Sequence, residues 1–61
     1  MTTTEMTNAI LKLYPKASGF LSPCVFNGQI EILFYPTTLS LNPYVAVYDS
    51  RTDKFYILRE F

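Results

Sequence analysis

The sequence predicts an α+β fold: one N-terminal helix packed on an antiparallel sheet of about four strands, arranged as two hairpins. Three observations lead there. Apolar residues recur at helical spacing up to Tyr14 and stop at Pro15; Asn27-Gly28 stands between two apolar runs; and a second pair of strand-like runs flanks the polar stretch 49–54. A helix stripe and a sheet face each need an apolar partner, and packing one on the other satisfies both.

The helix is expected over the first fourteen residues. Met6, Ala9, Ile10, Leu13 and Tyr14 fall at i, i+3, i+4, i+7 and i+8 and share one face. Thr4, Thr7, Asn8 and Lys12 face outward. Thr2 and Glu5 have the spacing of a capping box. Pro15 ends the helix because it disfavours helical angles at Tyr14 and brings no N–H of its own.

Residues 16–19 form a linker in which Gly19 frees the backbone to turn. The runs 20–26 and 29–35 then flank Asn27-Gly28, the strongest short hairpin signal, since a type I′ turn needs positive φ at both positions. In that register Val25 faces Ile30, Pro23 faces Ile32 and Leu21 faces Phe34, making one apolar face. Phe20, Ser22, Cys24, Phe26, Gln29, Glu31, Leu33 and Tyr35 occupy the other. Pro23 marks the first strand as an edge or a bulged strand. Between Pro36 and Pro43, Leu39 and Leu41 are expected to close one end of the core. In the second hairpin Asp49 pairs with Lys54, Val47 with Tyr56 and Val45 with Leu58, while Tyr44, Ala46, Tyr48, Phe55, Ile57 and Arg59 share the opposite face. The last strand is expected to stay paired through Phe61.

With 61 residues the chain allows a single small domain, 1–61. A core of this size supplies only about 3–5 kcal/mol of net stability without a disulfide, a metal or a partner. Cys24 has no second cysteine to pair with, and the chain has no His. A metal site therefore lacks ligands, and neither a cofactor nor a small-molecule substrate is inferred. Association remains as the supplement. Five basic and five acidic side chains cancel, which argues against nucleic acid, whose phosphates call for a cationic excess. The unpaired thiol suits a reducing, cytoplasmic setting. No stretch is long and apolar enough to span a bilayer, and no membrane partner is expected.

Chemistry has few actors. Cys24 has no imidazole to activate it; Asp49 and Asp53 fit turn roles; Glu5 is a cap; Gly19 and Gly28 are isolated turn glycines, with no phosphate loop. No catalytic residue is assigned, and the protein is not expected to be an enzyme.

Ten residues are Phe or Tyr, and they fall on both faces of the expected strands. One helix shelters one face, so the second is expected to meet a protein: another chain, as an inhibitor or adaptor does, or a second copy in a homodimer. The expected interface is Phe20, Phe26, Tyr35, Tyr44, Tyr48 and Phe55, with Arg59, Glu31 and Gln29 on its rim. The alternative is a base-stacking platform for single-stranded nucleic acid, built on the same rings. In size and lack of catalytic side chains the chain resembles many short proteins of phages and mobile elements, some of which inhibit host machinery. That resemblance is one of type, and it carries over no residue.

Overall fold

Helix α1 runs over Thr3–Leu13, and its start is set by the expected box. The Glu5 amide donates to Thr2 Oγ1 at 3.1 Å, and the Thr2 amide donates to Glu5 Oε1 at 2.7 Å. That second bond, with the Thr2 hydroxyl, holds the Glu5 carboxyl below its ordinary value. At the other end Tyr14 leaves helical angles while its amide still donates to the Ile10 carbonyl at 2.7 Å. The computed structural model describes residues 1–59.

Four strands follow, β1 (Cys24–Phe26), β2 (Gln29–Phe34), β3 (Tyr44–Asp49) and β4 (Lys54–Leu58). They form one open antiparallel sheet in the order β1-β2-β3-β4. Among the described residues α1 is the single helix, and it crosses one face. This is the predicted α+β architecture. The expected continuation of β4 over Glu60 and Phe61 lies outside the described residues.

Both hairpin registers agree with the sequence. Phe26 pairs with Gln29 across Asn27 (φ 53°) and Gly28 (φ 79°), the two positive values that a type I′ turn needs. Asp49 pairs with Lys54, Val47 with Tyr56 and Val45 with Leu58. The two turns meet, with the Ser50 amide and hydroxyl both donating to the Gly28 carbonyl at 3.0 and 2.8 Å.

Upstream of Cys24 the expected ladder fails. Leu21 and Pro23 were to face Phe34 and Ile32, but the Leu21 amide bonds the Leu33 carbonyl at 2.9 Å and Ser18 bridges Tyr35. The sum of paired residue numbers falls from 55 at Cys24 and Glu31 to 53 at Ser18 and Tyr35, so two extra residues bulge from this strand. Pro23, which has no N–H, sits where the ladder breaks. β1 is consequently short and lies at the edge, as expected, with all three of its residues exposed. The apolar face expected of the first hairpin narrows to Ile32 and Phe34, which are buried, and Ile30, which is half-buried.

The main core cluster lies between α1 and the sheet, while Val45 and Val47 are buried on the sheet's other face. Met6 and Ile10 reach Ile32, Phe34, Ala46 and Tyr48, with Tyr14, Ala17, Phe20, Ile30, Tyr44, Phe55 and Ile57 around them. Burying an aliphatic side chain of this kind fully is worth about 1.5–3 kcal/mol, so Met6 and Ile10, both 0 % exposed, hold the helix down. Leu13 departs from its expected place and is 62 % exposed. The chain turns at Tyr14-Pro15, and the Tyr14 ring takes the position over Phe34 instead, at 5.7 Å between centroids.

Gly19 lies at φ +64°, and a Cβ built on it would stand 2.8 Å from Tyr35 Cδ2. Gly19→Ala therefore meets both left-handed backbone strain and a clash with a ring held by the Ser18 bridge. The expected loss is about 1–3 kcal/mol, read as a lower urea midpoint. A midpoint equal to wild type would contradict the close packing at this turn.

Candidate functional site

The rings expected to form an uncovered face are for the most part beneath the helix. Register decides it. Ile30 pairs with Tyr48, Ile32 with Ala46 and Phe34 with Tyr44, and on the next strand Ala46 pairs with Ile57 and Tyr48 with Phe55. Since Ile32, Phe34 and Ala46 pack under α1, Tyr44, Tyr48 and Phe55 share that side. Tyr48 is only 8 % exposed, and its hydroxyl donates to Asp53 Oδ1 at 2.7 Å, a bond that raises the phenol above its ordinary value. The Tyr44 ring stands edge-on to Tyr14 and Phe34 at 5.7 and 6.0 Å. Phe20, expected on the far side, stacks on Phe34 at 6.0 Å, because the bulge and the turn at Gly19 change the alternation. Tyr35 is half-buried against Gly19. Of the residues expected in the interface and on its rim, Phe26 and Arg59 are exposed.

The face away from the helix carries a different set. Leu33, Val45, Val47, Tyr56 and Leu58 lie along its middle, with Gln29, Glu31, Asp49 and Lys54 toward the turns. Val45 and Val47 are each 1 % exposed, so a partner laid over the middle of this face gains little further burial from them. Asp49 is held below its ordinary carboxyl value, chiefly by the Arg51 amide, which donates to Oδ1 at 2.9 Å.

Exposed apolar side chains lie at both ends of the molecule, Val25 and Phe26 beside the Asn27-Gly28 turn and Leu13, Leu39, Leu41 and Leu58 at the end opposite the two turns. Register brings Phe34, Tyr44, Val45 and Leu58 to that end, and the Tyr14 ring places the C-terminus of α1 beside them. Leu13, Tyr14, Pro15, Lys16, Pro36 and Thr37 line a shallow groove there. From the groove Thr37 opens a turn tied by its own side chains. The Thr37 amide donates to Ser40 Oγ at 3.2 Å, the two hydroxyls lie 3.0 Å apart, and the Leu39 amide reaches Thr37 Oγ1 at 3.3 Å. This turn and the residues after it present Leu39 and Leu41 at 88 % and 92 % exposure. Both were expected to close the core. They do not: Tyr14, Phe34 and Tyr44 pack together at that end instead.

Among the described residues charge is divided along the same axis. Lys12 in the last turn of α1, Lys16 in the groove and Arg59 after Leu58 belong to the end opposite the two turns. Among the described residues the acids Glu5, Glu31, Asp49 and Asp53 belong to the turn half, with Arg51 and Lys54 beside them. Lone leucines between prolines were the available signal in the sequence. What that signal lacked was a direction.

Among the described residues no three His, Cys, Asp or Glu side chains converge in a way that could hold a metal ion, and no helix is long and apolar enough to cross a membrane. Cys24 is an exposed free thiol. Comparison of the chain with protein-family models, with curated proteins and with solved structures finds no match.

Proposed function

We propose that the protein is a small protein-binding module, of the inhibitor or adaptor kind, without enzymatic activity. Its contact surface is the end opposite the two turns and not the aromatic sheet face. The observation that carries the reading is the near-complete exposure of Leu39, on a turn tied by hydrogen bonds between Thr37 and Ser40, and of Leu41 just after it. Hydrogen bonds within residues 37–40 limit the conformations open to Leu39, so its association loses less conformational entropy than an untied residue would. Burying the two leucines in a partner recovers apolar area that folding leaves in water. The exposed thiol fits a reducing compartment, and we assign the module to the cytoplasm. We do not extend the proposal to single-stranded nucleic acid, because Tyr44, Tyr48 and Phe55, which were to stack bases, lie on the helix side.

The test is a double variant. Leu39→Ser/Leu41→Ser changes two solvent-facing side chains, and its stability is expected to stay within about 0.5 kcal/mol of wild type. Immobilised wild type and variant are then compared as baits on lysate of the source cell. A protein held by wild type and released by the folded variant fits the reading. Partners retained equally by both contradict it.

A further inference from the structure

We propose that Asn27 is a site of spontaneous deamidation, and that isoaspartate formed there frees β1 from the sheet. The inference is independent of the contact surface above. Asn27 and Gly28 are both exposed at the tip of the first hairpin. Gly28 has no side chain to keep its amide nitrogen away from the Asn27 carboxamide. The other two asparagines lack this opening. Asn8 lies within α1, whose ladder engages the Ala9 amide, and Asn42 precedes Pro43, which has no N–H to give up.

In the reaction the Gly28 amide nitrogen loses its proton to water and attacks Asn27 Cγ. A bond forms between that nitrogen and Cγ, the Cγ–Nδ2 bond breaks, and Nδ2 leaves as ammonia after taking a proton from water. Water then opens the cyclic imide. Opening at Cγ gives aspartate; opening at the backbone carbonyl gives isoaspartate, whose main chain runs on through Cβ and Cγ. One water is consumed, one ammonia is released, the chain gains one negative charge, and nothing is oxidised or reduced. Ring closure needs the turn to open, and the structure restrains it. Phe26 pairs with Gln29 across the turn. The Ser50 amide and hydroxyl hold the Gly28 carbonyl at 3.0 and 2.8 Å, so the second hairpin's turn sets the pace of the change in the first. The two products then differ. Aspartate suits the same turn, since Asp-Gly also accepts positive φ at both positions. Isoaspartate adds a backbone carbon to a two-residue loop whose length sets the register. β1 has three paired residues, Cys24, Val25 and Phe26, all at the base of this loop, and the ladder is already broken at Pro23.

The full chain is incubated at neutral pH and followed by intact mass and peptide mapping, with an isoaspartyl methyltransferase and S-adenosylmethionine as the probe for isoaspartate. The mass gain of an amide-to-acid change is expected at Asn27, with Asn8 and Asn42 unchanged and isoaspartate in excess of aspartate. Ser50→Ala, with amide protection in β3 unchanged, is expected to speed the change about threefold or more, the factor that loss of one ordinary hydrogen bond corresponds to. The isoaspartate form, separated by anion exchange, is expected to lose amide protection across β1 and its β2 partners. Freshly prepared Asn27→Asp carries the charge without the extra carbon and is expected to keep that protection. A folded chain that retains Asn27 while the urea-unfolded chain loses it overturns the site. Equal rates in wild type and Ser50→Ala overturn the restraint by the second turn. Wild-type protection in the isoaspartate form, or equal loosening in Asn27→Asp, overturns the release of β1.

Discussion

Phe34→Ala is expected to leave the chain without a cooperative unfolding transition in water. Phe34 is 0 % exposed, and its ring has three aromatic neighbours, Tyr14 at 5.7 Å and Phe20 and Tyr44 at 6.0 Å each. Those three tie the end of α1, the segment before β1 and the start of β3 to a single side chain on β2. Truncating a buried Phe to Ala costs about 3–5 kcal/mol, and the ring pairs add roughly 0.5–1.5 kcal/mol each. A domain this small holds only about 3–5 kcal/mol in all. Far-UV circular dichroism against urea reads the outcome. A sigmoidal transition weakened by less than about 1.5 kcal/mol would mean that the cluster is not the keystone of the core.

The second large effect is expected of Tyr44→Ser/Tyr48→Ser, which should unfold the protein and not merely weaken a contact. A face of exposed tyrosines would tolerate this change. Here Tyr48 is in the core and Tyr44 closes it beside Tyr14 and Phe34. The ring matters more than the hydroxyl. In Tyr48→Phe the bond to Asp53 is lost, but Asp53 is exposed and water replaces it, so the expected loss is about 0.5–1.5 kcal/mol. A folded, monodisperse double serine variant beside an equally folded Tyr48→Phe would place the tyrosines outside the core.

The elements were legible because each was announced locally. Thr2 and Glu5 capped the helix, Pro15 ended it, Asn27-Gly28 fixed one register, and the turn between Asp49 and Lys54 fixed the other. Alternation then grouped Tyr44, Ala46, Tyr48, Phe55 and Ile57 correctly on one face. It could not say which face the helix would choose. Two facing sides of comparable apolarity, Val45 and Val47 against Ala46 and Tyr48, differ little to a hydrophobicity pattern. On the face that the helix takes, Met6 and Ile10 pack with the small Ala46, and Tyr14, Phe20, Tyr44, Tyr48 and Phe55 surround them. Phe20 was misplaced for another reason, since a bulge of two residues leaves no mark beyond Pro23 and Gly19. The candidate site was the least legible part. Leucines in a loop read as core by composition, and it is their exposure in the folded chain that places them outside it.

The measurement that bears most directly on the central claim is hydroxyl-radical footprinting of the free protein, with modification followed residue by residue. The account predicts fast oxidation at Leu39, Leu41 and Phe26 and strong protection at Phe34 and Tyr48, with Tyr44 and Phe55 between them, after correction for intrinsic reactivity. Oxidation of Tyr48 and Phe55 at the rate of free tyrosine and phenylalanine, with Leu39 and Leu41 protected, would put the leucines in the core and the rings outside it, and would contradict the account.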